Sequence, residues 1–245
     1  MLLLLLVASG DPQVRRVQFD RAGIIRGDVS EKCLSLIFTA GDFAEGVPTI
    51  LRVCADRDVP ASFFVTGDFL RQHPAQAKSI IAAGHLLGPH SDQHLLYCDW
   101  EDREKSLVTR DQFTADLQKN LDDLKAIGAP PSEFFVPPFE WYNAEQVEWA
   151  KGLGLTLVNF TPGSGSNRDY IPEGDPKFAS SEKLVEEILK YESTSEHGLN
   201  GFILLLHAGS KRQDKMHDHL DMLVDELGKR GYVFVTLDLL TGSKS

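Results

Sequence analysis

A chain of 245 residues, 42% of them apolar and 25% charged, has the length and apolar content of one large domain, which buries roughly 70% or more of its unfolded surface. Its formal net charge of −11 offers no basic field for a nucleic-acid backbone or an anionic lipid surface, and its Lys and Arg residues form no long run. The expected partner is therefore neutral or cationic. Cys33, Cys54 and Cys98 share no C-x-x-C spacing, and an odd count at wide separation argues against a disulfide framework or a zinc knuckle. They are expected to be buried thiols.

Met1 to Gly10 is an apolar run ending in small residues. It is too short to span a bilayer, which needs about 20 apolar residues. It has no basic lead, and it is read as an export signal or its remnant, with a misassigned gene start as the alternative. The export reading predicts a secreted, periplasmic or cell-surface protein in which residues 11–245 form a single domain.

Gly23 to Asp28, with Gly27-Asp28 as its turn element, is expected to feed a buried strand at Cys33–Thr39. A helix follows Pro48, with Ile50, Leu51, Val53 and Cys54 at near-helical spacing up to the break at Asp56-Arg57-Asp58. Ala61–Val65 is the second strand, His73–Ala83 a helix stopped by Gly84, and His85–Gly88 the third strand. Asp111–Ile127 is the clearest helix, with Phe113, Leu117, Leu121, Leu124 and Ile127 stepping by three or four. Phe134–Val136 is the fourth strand, Ala144–Leu153 a helix and Leu155–Asn159 the fifth strand. Thr161–Ser180 is a long Gly/Pro/Ser/Asn-rich loop of the kind that carries function. A helix at Ser181–Tyr191 that Ser180 or Ser181 can cap, a strand at Gly201–Leu206, a helix at His217–Gly231 and a strand at Tyr232–Leu237 complete the chain.

Seven apolar strands separated by helices predict an α/β fold of mainly parallel strands, a distorted (β/α)7-type barrel, with a doubly wound open sheet as the alternative. Asp42, His90, the Pro137–Glu140 segment, Asn159 and His207 all follow or end predicted strands. In a barrel those carboxyl ends form the one face on which active sites are built.

His90 and His94 are four apart, so a helical turn after the third strand would aim both rings one way, as two ligands of one ion require. With Asp42 on the same face, they form a candidate open site for zinc, or for cobalt or nickel. Asp92, between them, either orients a ring or is solvated. His207, at the end of an uninterrupted apolar strand, is a candidate proton donor or acceptor. His73, His85, His197, His217 and His219 have no comparable placement and are read as structural or solvated.

These motifs resemble the polysaccharide deacetylase family, carbohydrate esterase family four with its NodB-homology domain, from about Cys33 to Leu237. The H-[ST]-x-x-H motif is met by His90-Ser91-Asp92-Gln93-His94, and the L-x-L-H motif by Leu204-Leu205-Leu206-His207. Thr39-Ala40-Gly41-Asp42 corresponds to T-F-D-D, and Val136-Pro137-Pro138-Phe139 to R-x-P-[FY]. The resemblance implies a distorted barrel, a divalent metal held by Asp42, His90 and His94, removal of acetyl groups from an acetylated carbohydrate, and His207 as the acid that protonates the leaving sugar. It also implies that the backbone N–H of Phe139 helps to hold the oxyanion.

Two departures stand out. The family's base aspartate is Gly41 here, and the arginine that pairs with it is Val136. Losing both is coherent, because an arginine without its carboxylate would be an unpaired charge beside a cation. The base is then either Glu140, next to Phe139, or water acidified by the metal alone. Trp141, Tyr142, Trp100 and Tyr97 are candidates for sugar-facing platforms, and equally for packing under long loops. Asp169 and Trp141 are candidates for the family's further aspartate and aromatic. The leading expectation is a metal-dependent deacetylase. Its alternatives are a catalytically altered metal- and carbohydrate-binding module, and a hydrolase of another C–N or ester bond.

Overall fold

The computed structural model describes residues 16–243. The proposed export segment lies outside them.

The longest strand among the described residues, Cys33–Ala40 (β3), is buried on both faces, as a central parallel strand must be. Before it stand β1 (Gln18–Asp20) and β2 (Gly23–Arg26), an antiparallel hairpin. After it come β4 (Ala61–Val65), β5 (Leu86–Pro89), β6 (Phe134–Phe135), β7 (Thr156–Leu157), β8 (Phe202–His207) and β9 (Val233–Phe234). β8, β3, β4 and β5 are parallel neighbours in that order. Sparse bonds close the ring: Val136 N–H reaches the Pro89 carbonyl (3.4 Å), β6 pairs β7, and Asn159 N–H reaches the Ile24 carbonyl (2.8 Å). β2 then meets β8 at Arg26 and Phe202. The result is the distorted barrel expected, not an open doubly wound sheet.

The two-residue alternation of the strands divides the core. Leu34, Leu36 and Phe38 of β3, Phe63 of β4 and Leu204 of β8 face outward into one large cluster with the helices. Ile37, Phe64, Ile203 and Leu205 face inward into a separate barrel interior with Val136 and Val158. The helices are α1 (Val47–Arg57), α2 (Gly67–Gln72), α3 (Pro74–Ala82), α4 (Arg110–Ala126), α5 (Ala144–Gly152), α6 (Ser181–Thr194), α7 (Leu220–Lys229) and α8 (Leu237–Thr241). α4 and α5 open with capping boxes, Thr109 with Gln112 and Asn143 with Gln146. Ser180, not Ser181, caps α6.

Several boundaries differ from expectation. Gly23–Arg26 is a strand; the turn lies one step earlier, where Arg21 and Ala22 both take positive φ (42° and 67°), the backbone of a two-residue hairpin turn without its usual Asn or Gly. Glycine is needed at 23 because a Cβ would stand 2.6 Å from the Tyr142 hydroxyl. The predicted strand at 232–237 shrinks to β9, because β9 pairs only Cys33 and Leu34 while β4 takes the same edge from Leu36 onward. Leu237 and Leu240 instead turn inward on α8 and fill the barrel interior. Leu155–Asn159 supplies only the short β7, the helix expected from His217 begins as a 3-10 turn at Met216–His219, and α2 was not foreseen. Cys54 and Cys98 are buried and Cys33 half-buried, with burial pushing the Cys54 thiol up to about 12. No helix among the described residues is long and apolar enough to cross a membrane.

Candidate active site

A cleft of about 300 Å3 opens at the carboxyl ends of the strands, lined by Asp42, His90, His94, Phe139, Glu140 and His207 among others. Residues remote in sequence thus converge as the barrel requires.

His90 follows Pro89 directly and is buried. Its Nδ1–H donates to the Val136 carbonyl (2.8 Å), which leaves Nε2 as the lone-pair nitrogen. Burial holds its pKa well below the ordinary value, so the ring is neutral. The His94 ring lies 5.0 Å from it, centroid to centroid. Burial, together with the nearby His207, lowers His94 to about 4 against the opposing pull of Asp42. The two rings do not meet through a helical turn. Ser91 and His94 take positive φ (69° and 54°), and the Ser91 hydroxyl accepts the His94 N–H (3.0 Å).

Helix α4 fixes this irregular loop. Asn120 Oδ1 accepts the His90 N–H (3.0 Å), while Asp116 accepts the N–H groups of Asp92 (3.3 Å) and Gln93 (3.0 Å). Neither residue was singled out from sequence. The available signal was a polar pair, Asp116 and Asn120, at i and i+4 within the buried Phe113–Leu117–Leu124 stripe. Asp92 neither orients a ring nor is solvated; it is buried and paired with Arg71 of α2 (2.7 Å). Asp116→Ala removes a buried acceptor of two N–H groups, and a loss of about 2 kcal/mol is expected in denaturant unfolding.

Asp42 is exposed, its carbonyl accepting His73 Nε2–H (2.9 Å). His73 therefore anchors the loop beside the cleft, a structural role consistent with its reading. Among the described residues no three His, Cys, Asp or Glu side chains stand together in a group that could enclose an ion. The two neutral imidazoles suit an ion's donor set. The Asp42 carboxylate acts on His94 through its charge but does not complete a three-donor group in this arrangement.

Across the cleft, His207 ends β8. Its Nδ1–H donates to Asp169 Oδ1 (2.7 Å) and its backbone N–H to Asp169 Oδ2 (2.8 Å). Burial alone would lower its pKa, but the Asp169 carboxylate, aided by Glu140, raises it. Asp169 comes from the 3-10 turn Ser166–Tyr170 in the long loop and is fully buried. Tyr170, missed in sequence although it adjoins Asp169, covers the imidazole at 4.8 Å.

Phe139 and Glu140 both hold positive φ (58° and 52°), an uncommon pairing for non-glycine residues. Their backbone is pinned by the Glu140 N–H to Pro137 carbonyl bond (3.0 Å) and by Asn159 Nδ2–H on the Glu140 carbonyl (2.8 Å). The Phe139 N–H has no acceptor among the described residues. The Phe139 ring lies 4.3 Å from His94 and 5.7 Å from Trp100, which in turn meets Trp141 at 5.5 Å. Trp100 and Trp141 therefore form an aromatic row with Phe139, neither of them lining the cleft itself. Tyr142 does not: it is fully buried, its hydroxyl donating to the Asp20 carbonyl (3.0 Å), and it packs beneath the loop. Tyr97 is likewise buried, its ring tilted against Phe113 at 4.8 Å. The Glu140 carboxylate lines the cleft with no hydrogen-bond partner among the described residues, and burial, against the pull of His207, raises it to about 7.

At Gly41 an added Cβ would meet only Thr66 atoms at 3.9 Å, an ordinary contact, so the base-aspartate position is open. Val136 is fully buried in the barrel interior, and only its carbonyl serves the site.

Histidines and carboxylates from separate strand ends thus share one cleft at the carboxyl face of a distorted (β/α)7-type barrel. The profile of the family described as polysaccharide deacetylase matches residues 26–158. The chitooligosaccharide deacetylase of Rhizobium leguminosarum bv. trifolii is 33% identical over 200 residues, covering 80% of this chain and 78% of its own. The chain belongs to the polysaccharide deacetylase family. Among solved structures, Bacillus subtilis PdaA, a family 4 carbohydrate esterase, has a TM-score of 0.70 at 23% identity and covers 90% of this chain and 85% of its own. A family 4 pseudoenzyme from Bacillus anthracis has a TM-score of 0.68 at 20% identity over 87% of this chain and 66% of its own. A mutant of that pseudoenzyme with restored enzymatic activity has a TM-score of 0.68 at 22% identity over 87% of this chain and 69% of its own.

Proposed function

We propose that the protein removes acetyl groups from an N- or O-acetylated oligosaccharide or polysaccharide outside the cell, with Glu140 as general base and His207 as general acid. The observation that carries this is the pair itself: an unpartnered carboxylate raised to about 7 faces an imidazole held by Asp169 at 2.7 Å. Such a pair divides proton removal and proton donation between two groups near neutral pH. The extracellular setting and the acetylated-glycan substrate class are inferred from relatives such as the peptidoglycan deacetylases of Bacillus.

Glu140 takes a proton from the attacking water. His207, its Nδ1–H engaged by Asp169, presents Nε2–H to the departing sugar oxygen or nitrogen. The Phe139 N–H donates to the oxygen of the acetyl carbonyl as charge develops there. A divalent ion, zinc or alternatively cobalt or nickel, would be held by His90 and His94, with the exposed Asp42 side chain turning in as the third donor, and would supply carbonyl polarisation and a more acidic water. Cobalt or zinc titration followed by calorimetry checks this: His94→Ala is expected to weaken binding by at least 100-fold, and equal binding by the variant would exclude the imidazole pair as ligands.

A second reading is a binding protein without turnover. It is favoured by Gly41 and Val136 in place of the family's base pair, and by the incomplete three-donor group. Gly41→Asp separates the two, since an added Cβ there makes only ordinary contacts with Thr66. The deacetylase reading expects acetate release in the parent chain, whereas the binding reading expects release only after the substitution.

A further inference from the structure

Asp169 reaches His207 because the long loop between β7 and α6 folds back over the end of β8, and a side chain outside the cleft ties the two segments together. Arg212 lies five residues beyond His207 and is fully buried. Its Nη1–H donates to the Arg168 carbonyl (3.3 Å), its Nη2–H to the Ala179 carbonyl (2.7 Å) and its Nε–H to the Asp214 carbonyl (3.1 Å). Nη2 also donates to Asp214 Oδ2 (2.7 Å), and the same carboxylate oxygen accepts the Ser181 N–H at the start of α6 (2.6 Å). The Phe178 ring covers one face of the guanidinium at 4.5 Å.

The loop is thus held at both ends from one point. Arg168 immediately precedes Asp169, and its carbonyl, which also accepts the Ile171 N–H (3.0 Å), belongs to the 3-10 turn that presents both Asp169 oxygens to His207. Ala179 stands just ahead of α6. A second tie runs from the middle of the loop, where Glu173 Oε1 accepts the N–H groups of Gln213 (3.0 Å) and Asp214 (3.1 Å), but Glu173 is exposed. Burying a guanidinium is unfavourable, and an apolar side chain of like volume commonly fills such a space with equal or greater stability. What arginine supplies beyond filling is direction, because five N–H donors in one rigid plane fix the relative placement of their acceptors. One of those acceptors is the peptide that joins Arg168 to Asp169.

We propose that Arg212 is a positioning residue for the His207–Asp169 pair. By holding the Arg168–Asp169 peptide against the segment that follows β8, it sets the bond from the imidazole to the carboxylate and so the orientation in which His207 donates its proton. This rests on the acid role given to His207 and extends it to a side chain that touches neither substrate nor cleft.

The test follows the imidazole as well as turnover. In the zinc-loaded full chain, proton NMR is expected to show the His207 Nδ1–H as a downfield resonance, assigned by its loss in Asp169→Asn. This resonance is expected to vanish in Arg212→Met and to weaken in Arg212→Lys. In Arg212→Met, kcat for acetate release from an N-acetylglucosamine oligomer is expected to fall about tenfold with KM near the parent value. Added to Asp169→Asn, the same change is expected to lower kcat by less than about twofold more, because it acts through the carboxylate already removed. Lysine keeps the charge without the planar fork, so Arg212→Lys carries the test if circular dichroism shows that the methionine variant does not fold. A parent without the resonance would overturn the proposal. So would a folded variant that keeps both the resonance and the parent's kcat, or one whose rate loss adds in full to that of Asp169→Asn, and Arg212 would then serve packing alone. Should the parent release no acetate, the acid role of His207 fails by itself. The resonance then decides for Arg212: its loss in the folded variants retains the positioning role, and its persistence removes it.

Discussion

Replacing Glu140 with Gln is expected to lower kcat for acetate release by about 100-fold or more, the usual contribution of a positioned general base. The substitution keeps shape and removes only the ionisable oxygen, so the fold and the bonds of the Glu140 backbone to Pro137 and Asn159 should persist. The pH dependence carries a sign. A base must be ionised, and burial raises Glu140 to about 7, so activity should climb as pH rises through about 7 and that limb should be absent in the Gln variant. A Glu140→Gln protein with nearly full turnover would transfer the base's work to water acidified by a metal alone.

Asp169→Asn is expected to cost a similar factor for a different reason. The Asp169 carboxylate accepts both the Nδ1–H and the backbone N–H of His207 (2.7 and 2.8 Å), and its charge is what raises the imidazole despite burial. An acid must be protonated, so the parent should lose activity as pH rises through the raised His207 value. With the charge removed, that alkaline limb should move to lower pH, and roughly 100-fold of kcat should disappear at neutral pH. A rate loss with no movement of the limb would mean that Asp169 only positions the ring. The coupled pair titrates together, so the two limbs are read as properties of Glu140 and His207 jointly.

Much of this architecture was legible because long apolar runs announce themselves. β3, β4 and β8 are buried on both faces, and each is followed or ended by a polar residue that the barrel then gathers. The short strands were overestimated, since the extent of β9 is set by which neighbour holds the edge of β3, a matter of tertiary pairing absent from local pattern. Six-residue α2 gives too few turns for a periodic signal, and Arg71 on it claims Asp92, whose partner no spacing could indicate.

The site shows the same division. Asp42, His90, His94, Glu140 and His207 were found by residue type at strand ends, and all line one cleft. The means by which they meet was not visible. Left-handed backbone at Ser91, His94, Phe139 and Glu140 belongs to residues that give no glycine or asparagine warning. Tyr142 shows the limit of reading aromatics by position, because its neighbour Trp141 meets Trp100 beside Phe139 while Tyr142 itself is fully buried. Asp169 emerged only as a candidate, since its loop has no periodicity, and its two bonds to His207 depend on how that loop folds back onto β8.

Acetate release by the metal-replete parent chain and by Glu140→Gln, assayed side by side on N-acetylglucosamine oligomers near neutral pH, addresses the central claim most directly. The account predicts measurable release from the parent and about 100-fold less from the variant. Oligomer binding with no acetate from the parent, and release appearing only in Gly41→Asp, would contradict it.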